Sequence, residues 1–94
     1  MTTQIPSGSD LNTYTTPGDY HVGSYADSQT VINKPSGMPL GSFCLLVMNQ
    51  GPKARGQFLR ISTSNGTVHL YERIQYGGSL TWSEWKELSL TALE

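Results

Sequence analysis

The hydrophobic pattern of the C-terminal half predicts a meander of β-strands. Four segments are strand candidates, at residues 43–49, 56–64, 67–75 and 80–88, and apolar and polar side chains alternate through parts of the last three. In the first segment the apolar residues occupy both odd and even positions. Successive side chains of a strand point to opposite faces, so this segment needs cover on both sides. We expect the core to cover one face, and either the Met1–Gly41 segment or a neighbouring subunit to cover the other.

The dipeptide Asn65-Gly66 predicts a hairpin between the second and third of these strands, because Asn-Gly is typical of two-residue hairpin loops. A two-residue loop fixes the pairing along the whole hairpin. Ile61 would then lie opposite Leu70 on a core face, and Arg60 opposite Tyr71 on the other face. The second face would carry aromatic and basic side chains.

The dipeptide Gly77-Gly78 indicates a further tight turn. With a two-residue loop, Trp82 would lie opposite Arg73, outside the core, and Trp85 would face the core. Leu88 shares the parity of Trp82, however, which argues for the reverse assignment. Two tryptophans three residues apart lie on opposite faces of a regular strand unless a bulge intervenes. A shift of one residue in the pairing decides whether Trp82 or Trp85 faces the core.

The N-terminal part, up to about residue 41, is rich in Ser, Thr, Gly and Pro and predicts mostly turns. It contains one short strand candidate, Asp19–Gly23, and one possible helical turn at residues 9–12. The whole chain of 94 residues suits one domain. We therefore expect a single all-β domain over residues 1–94, with little helix and a small antiparallel sheet. Residues 1–9 would be a lead-in and residues 89–94 a tail, and the chain could be a fragment of a longer polypeptide.

Composition argues against several classes of partner. The net charge is −1 and only 14% of residues are charged. Without a basic patch a nucleic-acid partner is not expected. The longest apolar run, Phe43–Met48, is far shorter than a membrane span, and the N-terminus lacks the pattern of a secretion signal. The single cysteine, Cys44, is expected to be a small buried hydrophobic residue.

No set of residues predicts a catalytic, metal or cofactor site. Asp19 and Asp27 could form a carboxylate pair of the glycosidase kind, but solvated turn or strand positions are the simpler interpretation. His21 and His69 have no partner at metal-ligand spacing and are expected to be ordinary surface or interface histidines. The sequence therefore predicts a non-enzymatic protein without a cofactor.

The aromatic and basic residues of the last two hairpins form the candidate contact site. The predicted members are Arg60, Tyr71, Arg73 and Trp82. Aromatic rings and guanidinium groups suit a sugar ligand, and they suit a subunit interface equally well. Packing within the chain, an oligomer interface and ligand contact all remain open at this point.

Three segments resemble the pyocin-knob type of domain found in tail fibres of bacteriophages and R-type pyocins. They are the opening Asp10-Leu11-Asn12-Thr13-Tyr14 with Pro17-Gly18-Asp19-Tyr20, the middle Asn33-Lys34-Pro35-Ser36-Gly37, and the closing Trp82-Ser83-Glu84-Trp85-Lys86-Glu87-Leu88. The three occur in the same order as in that family and extend over about residues 10–88. We expect these residues to serve the fold in the first place, because Pro17-Gly18 makes a turn and Leu11 and Tyr14 can anchor the segment before it.

The resemblance implies a structural or receptor-binding module of a tail fibre, strung along a homotrimer and contributing to host-cell attachment. Its partners would be copies of itself, other fibre segments and a glycan of the host surface. The protein would be made in the bacterial cytoplasm without a signal peptide and would act in the virion. Two alternatives remain: a free-standing carbohydrate-binding, lectin-like module, and an accessory domain of a phage depolymerase or lysin. The resemblance assigns no sugar-binding residue.

Overall fold

The computed structural model describes residues 2–51, 54–63, 66–76 and 81–88. Within them the chain forms seven strands, one 3₁₀ turn at Leu11–Thr13 and one short helix, α1 (Tyr25–Thr30). The strands are β1 (Thr3–Gln4), β2 (Gly18–Val22), β3 (Phe43–Gly51), β4 (Ala54–Ser62), β5 (Val68–Tyr76), β6 (Thr81–Trp82) and β7 (Lys86–Leu88). The all-β prediction is confirmed. None of the described helical segments is long and apolar enough to span a membrane.

The strands form one mixed sheet in the order β1-β2-β3-β4-β5-β6, and β7 also pairs with β5. All neighbouring pairs are antiparallel except β1 and β2, which run parallel. The predicted strands lie within a few residues of the observed ones, but the last is divided into β6 and β7. Helix α1 was not predicted. It begins at Ser24, whose hydroxyl accepts a hydrogen bond from the Asp27 amide at 3.1 Å.

The predicted register of the β4–β5 hairpin is wrong by one residue. Ser62 pairs with Val68, and the Thr63 amide donates to the Thr67 carbonyl at 2.8 Å, so three residues separate Thr63 from Thr67. Gly66 has φ of +87°, the left-handed conformation that ends a three-residue hairpin loop. Asn65 itself lies outside the described residues. A slip of one residue exchanges the two faces of a strand, so the predicted face partners are wrong as well.

The last connection is also longer than predicted. Tyr76 pairs with Thr81, so four residues lie between them, and Gly77-Gly78 falls outside the described residues. Trp82 pairs with Gln75, whereas Lys86 pairs with Glu72. Three residues thus lie between Trp82 and Lys86 where β5 has two, which is a β-bulge. The bulge brings both tryptophans to the same side of the sheet.

One face of the sheet is covered by the N-terminal part of the chain, and the core lies between the two. The alternative that this segment covers the second face is wrong, because Leu46 and Met48 of that face are exposed. On this covered face the odd-numbered side chains of β3 and β4 pack against apolar residues of the first 40 positions. The core comprises Ile5, Leu11, Val22, Val31, Met38, Phe43, Leu45, Val47, Leu59, Ile61 and Tyr71. The even-numbered side chains of β3 point the other way. Cys44 is among them and is exposed, so the prediction that it is buried is wrong.

Candidate functional site

A charged side chain lies where the sheet meets residues 2–40, which cover one of its faces. We call these residues the covering segment, and its boundary with the sheet around Arg73 the seam. Arg73, on β5, is only 6% exposed. Its Nε donates a hydrogen bond of 2.8 Å to Oε1 of Gln57, which is itself completely buried on β4. The Gln57 amide nitrogen donates in turn to the carbonyls of Leu11 and Tyr14, at 2.7 and 2.9 Å. Gln57 therefore joins Arg73 to both ends of the 3₁₀ turn.

Both indole rings contact Arg73. The guanidinium carbon lies 4.4 Å from the ring centroid of Trp82 and 4.6 Å from that of Trp85. Each indole also donates to the covering segment: Trp82 Nε1 to the Asn12 carbonyl at 3.1 Å, and Trp85 Nε1 to the Asn33 carbonyl at 2.9 Å. Cation–π contact on a desolvated guanidinium is worth about 2 kcal/mol, so each tryptophan stabilises the charge and holds the seam closed.

The electrostatics of the seam follow from burial. Burial lowers the pKa of Arg73 to about 10, and the nearby Asp10 carboxylate partly opposes that shift. Arg73 therefore remains a cation at neutral pH. The pKa of Asp10 lies below its ordinary value because its carboxylate accepts hydrogen bonds from the Asn33 side chain at 2.6 Å and from the Asn12 amide at 2.8 Å.

The guanidinium of Arg73 is only partly satisfied. Among the described residues Nη2 has no hydrogen-bond partner, although it is buried. A buried donor without an acceptor costs about 1–3 kcal/mol, and more when the group is charged. The seam therefore retains a charged donor that an incoming acceptor could satisfy.

An open cavity of about 480 Å³ lies beside Arg73, and we call it the Arg73 cavity. It is lined by Asn33, Lys34, Pro35, Ser36, Tyr71, Arg73, Ser83, Glu84, Trp85 and Glu87. Two carboxylates thus line the cavity together with aromatic and cationic groups. Glu87 pairs with His69 at 2.8 Å, and the ammonium of Lys34 donates to the Ser28 carbonyl. The cavity combines a cation, aromatic rings and hydrogen-bonding groups in one place.

Three of the four predicted contact residues lie together. Trp82 contacts Arg73 as described above, and Arg73 lines the cavity together with Tyr71. Arg60 does not belong to this group: it is exposed on the opposite face, where it pairs with Cys44 and Leu70. The prediction that Arg60 lies beside Tyr71 is wrong, because the extra loop residue places Leu59 opposite Tyr71 instead.

The site also includes residues that the sequence analysis did not single out for it. The most important are Gln57, Asn33 and Glu84. A glutamine at a strand position of buried parity, between Phe58 and Gly56, could have indicated a polar contact within the core. Asn33 has φ of +65°, a conformation that asparagine tolerates better than most residues. Glu84 lies in the bulge, which the sequence did not reveal.

The opposite side of the sheet is a second candidate surface, and we call it the open face. Its apolar members are Cys44, Leu46, Met48, Phe58, Leu70 and Ile74, placed on one side by the strand registers. Leu46, Met48 and Ile74 are 37%, 41% and 44% exposed. A group of exposed apolar side chains in register is typical of an interaction surface.

The remaining candidates for chemistry stay apart. Asp19 lies on the open face, where it pairs with Leu46, whereas Asp27 lies in α1 and accepts a hydrogen bond from the Ser7 hydroxyl at 3.3 Å. His21 contacts the Thr2 hydroxyl at 2.8 Å, and His69 contacts Glu87. Over residues 2–51, 54–63, 66–76 and 81–88, no three side chains of His, Cys, Asp or Glu cluster in a way that could hold a metal ion.

Comparison with known proteins adds no relative. No protein-family model, no curated protein and no solved structure matches the chain.

Proposed function

We propose that this chain is a structural and receptor-binding module of a tail fibre, in a phage or a phage-tail-like particle, and that it contributes to host attachment without catalysis. The open face is the observation that supports the proposal best. A module of a fibre must pack against other chains, and this face presents apolar side chains that the described part of its own chain leaves exposed. A fibre module also needs an attachment surface, for which the Arg73 cavity is the candidate.

The motif residues of the resemblance support the same proposal through their common location. Asp10, Asn12, Asn33, Trp82 and Trp85 are widely separated in sequence, yet all of them belong to the seam around Arg73. They connect the covering segment to the sheet by hydrogen bonds and ring contacts. Such a closed scaffold explains how a chain this short holds one ordered core while its other face stays free for assembly.

We propose a homotrimer that associates through the open face. The charged residues on this face favour a second copy of the chain as the partner. Asp19 and Glu72 are acidic, Arg60 and Lys86 are basic, and all four share the face in the strand register. Because the acidic and basic groups are equal in number, two copies can meet without a net repulsion. The apolar residues between them would supply the hydrophobic contribution.

Size-exclusion chromatography with light scattering tests this proposal. At tens of micromolar, we expect a mass three times that of the 10.3-kDa chain. Leu46→Asp places an unpaired charge in the middle of the open face and should yield a folded monomer, because burying a charge without a partner is costly. Ile32→Asp is the matched control, since Ile32 is 53% exposed outside the sheet. A wild-type chain that elutes as a monomer would contradict the proposal, and so would a Leu46→Asp trimer.

A free-standing carbohydrate-binding module is the second candidate, and the Arg73 cavity is the observation that favours it. The volume of this cavity is within the range of small-ligand sites, and its lining combines two aromatic residues with many hydrogen-bonding groups, which suits a polar ligand such as a sugar. A stable monomer that binds sugar would favour this candidate over the fibre module. A trimer would favour the fibre module.

A further inference from the structure

The geometry points to the Arg73 cavity as a binding site for a neutral saccharide, a ligand class that rests on the receptor-binding role proposed above. The first step is the hydrogen bond that Arg73 offers. Its side chain is more than nine-tenths buried, Nε is used by Gln57, and Nη2 has no partner within the described part of the chain. Nη2 is closed to solvent, so a small rotation of the guanidinium toward the cavity that Arg73 lines would be needed for a sugar hydroxyl to accept from it.

The second step concerns the charge of the ligand. Glu84 and Glu87 line the same cavity as Arg73. Lys34 lines the cavity as well, and its ammonium keeps its positive charge while it donates to the Ser28 carbonyl, so two cations balance the two carboxylates. A carboxylate on the ligand would therefore gain no net attraction from the lining and would lose its hydration on entering. A hydroxyl can accept from Arg73 and donate to Glu84, so a neutral sugar uses both kinds of group.

The third step concerns the aromatic wall. Trp85 and Tyr71 both line the cavity, and the Trp85 ring is only partly buried. The apolar C–H face of a pyranose can stack on such a ring while its hydroxyls meet polar groups at the edge. Because the Trp85 indole is already fixed by its hydrogen bond to Asn33, little side-chain entropy is lost on binding.

The test is a sugar titration followed by NMR. The chain contains only two tryptophans, so the indole N–H signals report on Trp82 and Trp85 separately. We expect glucose, galactose or N-acetylglucosamine to shift the Trp85 signal with a Kd of about 1–10 mM, which is a modest affinity for a monosaccharide. Glucuronic and galacturonic acids should bind more weakly than their neutral counterparts. Tighter binding of the acids would overturn the inference. The absence of any shift with each neutral sugar at about 200 mM would overturn it too, since that is about 20 times the upper limit of the expected Kd.

Variants then locate the contact. Glu84→Gln should weaken binding of the neutral sugar about tenfold, because it replaces a charged acceptor by a neutral one and so weakens the hydrogen bond from the sugar hydroxyl. Asp27→Asn is the matched control, since Asp27 is a carboxylate of α1 that lies outside both the cavity and the open face. Equal affinities of the two variants would contradict the assignment of the cavity. Substitution of Arg73 would also disturb the seam, so this pair of carboxylate variants carries the test.

The oligomer measurement separates this inference from the proposed function. If the chain is a trimer but no neutral sugar binds, only the ligand assignment fails. If neutral sugar binds to a chain that remains a monomer at tens of micromolar, the fibre assembly fails and the ligand assignment stands.

Discussion

At the scale of single residues, Gln57 is the side chain that does most to join the two layers. Its amide accepts from Arg73 and donates to two carbonyls of the covering segment. An apolar residue at this position would leave these three groups without partners. Asparagine would be too short to reach the same three atoms. The composition of the chain gives no sign of this role, because only the fold brings Leu11 and Tyr14 to the strand.

Gln57→Ala should therefore destabilise the domain strongly. We expect a loss of about 3 kcal/mol or more in the free energy of unfolding, since two buried carbonyls and a charged Nε lose their partners. Urea denaturation followed by circular dichroism measures this loss. Gln29→Ala is the control, because Gln29 is exposed in α1. Similar denaturation midpoints for the two variants would show that the hydrogen bonds of Gln57 contribute little.

At the scale of elements, the strands could be predicted from sequence but their pairing could not. The apolar run of β3 and the alternation in β4 and β5 placed these strands within two residues of their observed bounds. The face to which each side chain points depended on loop length. The β4–β5 loop, which ends at Gly66, has three residues, one more than Asn-Gly alone suggests. The bulge between β6 and β7 cannot be read from the pattern either, because it inserts a single residue. One extra residue in the β4–β5 loop decided the face on which Arg60 lies, and one extra residue in the bulge decided the face on which Trp85 lies.

The position of Trp82 leads to a prediction about the contact between β6 and the 3₁₀ turn. Trp82→Ala removes a half-buried ring, its contact with Arg73 and its hydrogen bond to the Asn12 carbonyl. We expect a loss of about 2–4 kcal/mol in the free energy of unfolding. Trp82→Phe should recover part of this loss, since it restores a ring but not the N–H donor. Thermal denaturation measures both variants.

Tyr76→Ala is the control for this series, because Tyr76 is a large aromatic residue of the same hairpin and is 68% exposed. It should lower the melting temperature only slightly. If Trp82→Ala melts like Tyr76→Ala but loses sugar binding or assembly, Trp82 is a contact residue and its role in the seam is minor.

At the scale of the whole molecule, the two faces of the sheet differ in how they are covered. The first 40 residues supply apolar side chains such as Ile5 and Val31 to one face, and the core there is closed. On the other face the same segment contributes the polar residues Thr2, Asp19 and His21 and leaves Leu46 and Met48 exposed. A chain of this length buries only about 60–65% of the surface of its unfolded state, so an uncovered apolar face is a consequence of size. Association is the simplest way to cover it.

The single cysteine reports directly on this association, because Cys44 is exposed on the open face of the isolated chain. In a trimer formed through that face, Cys44 should react with a maleimide about tenfold more slowly than in the dissociated chain, which corresponds to an opening free energy of about 1.4 kcal/mol. The rate should rise on dilution as the trimer dissociates. A Cys44→Ala, Ile32→Cys variant is the control and should react at the same rate at every concentration. If Cys44 reacts at a concentration-independent rate while light scattering shows a trimer, the subunits meet through another surface and the open face remains free for a different partner.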